Sequence, residues 1–352
     1  MSIDSGAPQG GAGVRGMASS LGLTAGLAMI GGLILWSGIG QVAAILTTAG
    51  AGLLLIAFLA PPEILAMSEA WRQLFPPERK PAFWKALSAS WMGMAVNTLL
   101  PVATVGGEVV KARVLVLAGT SLNDAAAATL VDKTVQAIAT LIWGLVGLFV
   151  LASLRPDEGI LLGGLIAAAL LTLGIGGFIA VQWFGGFSLL ARFSQTALKR
   201  LGDHDPASIG KGLDLAVRAV YRRPAALLRS LGLRLLGQVW LVSEVLLTAW
   251  LLGLAIGFAE ALMLRALIGA VRGLSFVVPA GLGLQEGAYV ALGALIGLPA
   301  DMMLALSLAS RLREILPSLP GLLLWQHVEG RRLWRQHTAN NATLAGKMPS
   351  TG

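Results

Sequence analysis

A chain of 352 residues that is 56% hydrophobic and 12% charged, with a mean hydropathy of +0.77, lies outside the range of soluble globular domains and inside that of polytopic membrane proteins. The absence of cysteine excludes disulfides, thiolate nucleophiles and Cys-ligated metals. The net charge of +8 sits mostly in short loops between apolar spans, which the positive-inside rule explains, so nucleic acid is not an expected partner.

In chain order, residues 1–20 are rich in Gly and Ser with Arg15 as the one basic residue, and read as a flexible tail. Residues 21–39 supply the roughly 20 apolar positions a crossing needs, without a charged leader region or cleavage site, so they read as a retained first helix. A second span, 42–67, contains Pro61, Pro62 and Glu63, which predicts a proline kink with the carboxylate near the interface. Arg72, Arg79, Lys80 and Lys85 then mark a cytoplasmic loop, with Trp71 and Trp84 as interface anchors. Residues 83–100 form a third span that ends at a first motif, whose apolar continuation runs to Ala118. Spans at 122–151 and 159–183 follow, separated by the turn of Arg155, Asp157 and Glu158. Residues 185–223, with Arg192, Lys199, Arg200, Lys211, Arg218, Arg222 and Arg223, read as an amphipathic helix on the inner leaflet or a solvated helical hairpin. The second half runs 225–254, 259–278, 288–298 and 302–325, then Arg331, Arg332 and Arg335, with 338–352 expected to be disordered. His204, His327 and His337 are scattered and read as surface residues.

Two motifs interrupt this apolar pattern. Residues 97–113 read NTLLPVATVGGEVVKAR and residues 272–287 read RGLSFVVPAGLGLQEG. Glu108 follows Pro101 by seven positions, and Glu286 follows Pro279 by seven. Lys133 lies 25 positions after Glu108, and Arg311 lies 25 after Glu286. Gly119 and Gly297, like Leu130 and Leu308, share the same offset of 178. In hydrocarbon every backbone polar group needs an internal partner, so Pro279, Gly281 and Gly283 break a helix only where protein or a polar cavity surrounds it. Paired interrupted segments in two halves point to a transporter-like site. Counting crossings between the basic loops places Pro101 towards the outer face and Pro279 towards the cytoplasmic face, an inverted repeat.

The expected fold is therefore an all-α polytopic membrane protein with about eight long transmembrane helices plus two broken or re-entrant segments. One transmembrane domain spans 21–330, its halves 21–184 and 224–330 joined by a cytoplasmic segment, 185–223. A cytoplasmic tail covers 331–352, and both termini are cytoplasmic.

Charges at membrane depth face a cavity or a partner. The pair Gly106-Gly107, with Asn97, Glu108, Lys111 and Arg113, suggests backbone N–H groups and cations meeting an anionic head group, although Glu108 and Lys111 also share a helix face. Asp132 and Lys133 point to different faces, and Arg311, Arg313 and Glu314 occupy the matching place in the second half. Cross-pairing of Glu108 with Arg311, or of Glu286 with Lys133, would satisfy these charges structurally, and a substrate or proton path would use the same residues. Arg272, beside Gln285 and Glu286 at the second break, belongs to this set. Arg234 and Arg265 are expected to snorkel to the interface, and Glu244 is a further charge in the membrane region.

The motifs Asn97–Pro101–Gly106–Gly107–Glu108–Lys111 and Pro279–Gly281–Gly283–Gln285–Glu286 resemble those of the flippase-like membrane family that includes the transmembrane domain of lysylphosphatidylglycerol synthases. The resemblance extends over about residues 20–330, and FVVPAGLGLQEGAYVALGAL resembles most the branch associated with hopanoid biosynthesis loci. It implies a bacterial inner-membrane protein that handles lipids or lipid-linked intermediates. No aminoacyl-transferase or glycosyltransferase segment follows the spans, so lysyl transfer is not expected. Ala103 stands where some relatives carry arginine, so a head-group role does not carry over there.

The first expectation is a lipid transporter or flippase, not an enzyme, with no cofactor, acting on membrane lipids. With no nucleotide-binding loop, its coupling would be to a proton, an ion or the lipid gradient. The alternatives are a scaffold that docks lipid-biosynthesis enzymes through 185–223, and an intramembrane lipid-modifying transferase using Glu108 or Glu286 as acid or base. The last is weakened because a single carboxylate is little catalytic machinery.

Overall fold

The computed structural model describes residues 50, 52–100, 106–184, 206–274 and 284–345, and every regular element among them is helical. The expected tail 1–20, the first span 21–39, Pro101, Ala103, residues 185–205, Pro279, Gly281 and Gly283 lie outside the described residues.

Helix α1 (Gly52–Ala57) stops at Phe58–Leu59 and α2 (Ala60–Arg72) restarts with Pro61 and Pro62 in its first turn. Those positions leave backbone N–H groups unused, so proline is tolerated there. After a short 3-10 turn, Pro77–Arg79, come α3 (Phe83–Leu99) and the short α4 (Gly106–Leu117). Ser121 caps α5 (Leu122–Leu154) by accepting the Asp124 N–H at 3.1 Å, and Asp157 caps α6 (Glu158–Trp183) by accepting the Ile160 N–H at 2.9 Å. Then follow α7 (Pro206–Tyr221), α8 (Pro224–Trp240), α9 (Val242–Leu251), α10 (Phe258–Leu274), α11 (Leu284–Leu295) and α12 (Ala300–Ala345). Helix α12 contains Pro317 and Pro320 and continues through 338–345, so that part of the expected disordered tail is helical.

Among the described residues, four stretches are long and apolar enough to cross a membrane: Leu54–Arg72, Leu122–Leu154, Glu158–Trp183 and Pro224–Leu251. Helix α6 is barely covered by the rest of the chain and exposes Leu162, Leu165, Ile166, Leu170 and Leu173. A helix that is apolar all round and still exposed suits contact with acyl chains. The described helices α4 and α11 are 12 residues each, about 18 Å at 1.5 Å per residue, against a hydrocarbon core of about 30 Å.

The two halves share a register. Helices α4 and α11 begin at 106 and 284 and end at 117 and 295. Each is followed by a left-handed glycine, Gly119 (φ 97°) or Gly297 (φ 78°). The next helices begin at 122 and 300, so all these pairs differ by 178 positions. The halves also interlock, because α10 packs along α5 and α3 packs along α12. Small residues permit both approaches. A Cβ at Gly147 would lie 2.6 Å from that of Ala266, and one at Gly321 would lie 3.0 Å from that of Ala95.

One end of the bundle gathers the basic loop. The Lys85 ammonium donates to the Ala118 carbonyl (3.2 Å), Arg79 pairs with Asp124 (3.0 Å), and Arg223 donates to the carbonyls of Phe75 (2.8 Å) and Leu74. Helix α7 lays its apolar face inward, burying Val217 and Val220 in a cluster with Trp71, Leu74, Phe75 and Val131. That part of 185–223 thus packs on the bundle rather than resting its apolar face on a leaflet. Trp71 itself is fully buried, which corrects its reading as an interface anchor, whereas Trp84 is 73% exposed.

Candidate functional site: two buried charge networks

The first network joins α4, α5 and α8. Lys111 Nζ lies 2.6 Å from Asp132 Oδ2 and 4.3 Å from the centroid of the Trp71 ring. The other Asp132 oxygen accepts from Arg234, whose Nη1 also approaches the Met67 sulfur at 3.4 Å. Glu108 sits one turn before Lys111 and pairs with Lys133 at 2.7 Å, with Lys111 at 3.6 Å. Lys133 also donates to Gln136 (3.0 Å). Arg234 is 6% exposed, so it does not snorkel to the interface as expected; a buried carboxylate holds it.

Gly106 opens α4, and the Gly107 N–H donates to Asn97 Oδ1 at 2.8 Å. A Cβ at Gly107 would meet the Gly93 carbonyl oxygen at 2.1 Å. Gly107 and Asn97 therefore serve the crossing of α3 and α4, and the Gly107 donor is already engaged. This replaces the expectation that this N–H meets a ligand. Arg113 points away from the network to Glu329 on α12 (2.7 Å).

The second network joins α2, α9, α10, α11 and α12. Arg311 Nε lies 2.5 Å from Glu286 Oε1, both side chains buried. Arg313 bridges Glu63 (2.8 Å) and Glu244 (2.8 Å) and approaches Glu314 (3.5 Å). Both Arg272 terminal nitrogens donate to Glu314, one at 2.9 Å. Gln285 donates to Ser307 Oγ (3.2 Å), and Tyr289 and Ser310 share a hydrogen bond of 3.1 Å. Glu63 is thus a partner of Arg313 and not merely an interfacial carboxylate.

The networks correspond at the offset of 178. Glu108–Lys133 matches Glu286–Arg311, and the Lys111–Asp132 pair has its counterpart in Tyr289–Ser310. Each glutamate pairs within its own half, and neither expected cross-pairing, Glu108–Arg311 or Glu286–Lys133, is present. The reason is connectivity: a short helix, a tight glycine turn and the following helix form a hairpin that brings positions 25 apart face to face. Accessibility differs between the twins. Side-chain exposure is 18% and 34% for Glu108 and Lys133, but 8% and 7% for Glu286 and Arg311.

Glu63, Trp71, Arg234 and Glu244 are network members that sequence reasoning did not place there. Their one signal is ionisable or amphipathic character inside an apolar window. Their partners lie on other elements: Arg313 is 250 positions from Glu63 and Asp132 is 102 from Arg234.

A family model described as the lysylphosphatidylglycerol synthase TM region matches residues 23–321, a stretch that contains both networks. No curated protein and no solved structure matches the chain. With four apolar helices of crossing length among the described residues and a family match over most of its length, the chain is a membrane protein that belongs to the family of the lysylphosphatidylglycerol synthase TM region.

Proposed function

We propose that the chain is a lipid transporter of the flippase kind, moving a lipid or lipid-linked intermediate between leaflets of a bacterial inner membrane without chemical change. Hopanoid-related lipids are among its candidate substrates. The observation that carries this reading is the partly exposed Glu108–Lys133 ion pair and its more deeply buried counterpart, Glu286–Arg311. Lys133 lies eleven residues into α5, about 16 Å from the basic end and near the middle of a 30 Å hydrocarbon core. A charged pair left partly exposed at that depth suits a polar path, since ionisable groups there face a cavity or a partner.

Helix directions support an inverted repeat. Arg223 ties the start of α8 to Leu74 and Phe75, near the start of α3, so both leave the same end of the bundle. Helix α10 follows the α8–α9 span and so runs against α3, its counterpart in register. With α3, α10 and the first part of α12 also crossing, seven long helices among the described residues accompany the half-length α4 and α11. The basic end is then cytoplasmic. Helix α7 spends its apolar face on the bundle, which leaves less of it for docking a partner enzyme.

The test is a leaflet-sidedness assay in proteoliposomes with candidate lipids, comparing wild type with Glu108→Gln and Glu286→Gln. Movement in wild type, lost in Glu108→Gln with its thermal midpoint retained, is the expected result. Glu286→Gln is expected to lose movement together with stability, because it removes the charge of one member of a buried ion pair. Undiminished movement in both variants would remove the networks from the transport path.

A further inference from the structure

At the basic end of the bundle, Arg79, Lys80 and Lys85 line an open cleft of about 410 Å³, whose opposite wall is the turn 118–121 between α4 and α5. The one carboxylate in the lining, Asp124, is engaged by Arg79 (3.0 Å) and by the Ser121 hydroxyl (2.7 Å). Lys80 keeps Glu69 at a distant 3.8 Å, and Lys85 reaches the Ala118 carbonyl. Burial and the neighbouring Arg72 hold the Lys80 ammonium below its ordinary pKa, with Arg229 and Arg223 adding to the effect and Glu69 opposing it. The cleft is therefore a place of positive potential with cationic donors to spare.

Its surroundings are apolar. Leu117 and Leu122, on either side of the turn, are 44% and 56% exposed, and Trp84 beside Lys85 is 73% exposed. The turn itself does not demand this chemistry. At the offset of 178, Arg79, Lys80 and Lys85 correspond to Gly257, Phe258 and Met263, next to the equivalent turn at Gly297. Cations confined to one of two equivalent turns, in a cleft with a greasy rim, match an amphiphile with an anionic head.

We propose that this cleft binds the phosphate-bearing head group of an anionic phospholipid, with Lys80 and Lys85 as the donors to phosphate and Trp84, Leu117 and Leu122 against the acyl chains. Charge-assisted bonds from two ammonium groups fix the phosphate, and the aromatic ring sits at the level where amphipathic side chains favour the interface. The inference deepens the transport reading by naming a head-group class at the cytoplasmic entrance. It is tested by binding alone, so its failure and the failure of transport are separable.

The experiment is native mass spectrometry of the detergent-solubilised full chain titrated with phosphatidylglycerol or phosphatidylcholine. Wild type is expected to bind phosphatidylglycerol in preference, and Lys80→Gln with Lys85→Gln to weaken that binding at least about tenfold while leaving phosphatidylcholine unchanged. Lys80→Arg with Lys85→Arg keeps the charge and is expected to keep binding. Thermal midpoints confirm that each variant is folded. Displacement of phosphatidylglycerol by inorganic phosphate at equal concentration would assign the cleft to a soluble anion and overturn the lipid. Undiminished binding in the Gln pair, or an equal loss in Arg155→Gln at the opposite end of α5, would overturn the site itself.

Discussion

A methyl group at position 107 has nowhere to go. It would sit 2.1 Å from the Gly93 carbonyl oxygen and 2.4 Å from the Asn97 side chain, and the first of these is backbone that no rotamer change can move. Gly107→Ala is therefore expected to destabilise the protein by about 1–3 kcal/mol or more, seen as a fall in the thermal midpoint in detergent. Gly287→Ala is the control, since a Cβ there meets nothing within 4 Å. Inside α11 that change is expected to be neutral or to stabilise by up to about 1 kcal/mol. Equal midpoints for the two variants would mean that α3 and α4 do not cross tightly. In the sequence, glycine followed by glutamate suits a ligand cradle and a close helix crossing equally well. Only the position of Gly93, fourteen residues earlier on another helix, separates the two readings.

Helix pairs decide which charges meet. The recurrence behind the hairpins α4–α5 and α11–α12 is legible in the sequence, where the glutamate, the cation 25 positions on and the glycine between them repeat at one offset; that each glutamate pairs with the cation of its own half is not. Partners across elements were not legible. Nothing in the order of residues shows that Glu63 and Glu244 converge on Arg313, or that Arg234 reaches Asp132, because those meetings depend on how α2, α8 and α9 pack. The same limit produced the cross-pairing expectation, which treated residues at matching places as neighbours. Removing one member of a buried pair costs about 3–5 kcal/mol, whereas neutralising both costs far less. Arg311→Met is thus expected to lower the yield of folded protein severely, and Arg311→Met with Glu286→Gln to restore much of it. Arg311→Met with Glu108→Gln is expected to stay as poor as the single variant. Rescue by Glu108→Gln instead would show that the charges couple between halves and not within them.

For the whole molecule, the question is how two equivalent halves are oriented. The interlocking of α3 with α12 and of α10 with α5 is the pattern of a two-fold exchange, each half giving the same helix to the other. Such an exchange is compatible with an axis along the membrane normal or within its plane, and the two differ in which face the turns occupy. With an axis in the plane, the turn 118–121 and its counterpart 296–299 lie on opposite faces. The distribution of charge favours this, because Arg79, Lys80 and Lys85 surround the first turn while the second has none of their counterparts. The chain has no native cysteine, so single substitutions report without background. Thr120→Cys and Leu298→Cys occupy the same place in the two turns. In intact cells a membrane-impermeant maleimide is expected to label Leu298→Cys and to reach Thr120→Cys only after permeabilisation. Labelling of both from outside, or of neither, would make the repeat parallel and move both half-length helices to one face. On the transport reading proposed above, an inverted pair of half-length helices would let the partly exposed Glu108–Lys133 pair and the buried Glu286–Arg311 pair exchange exposure between the two sides of the membrane.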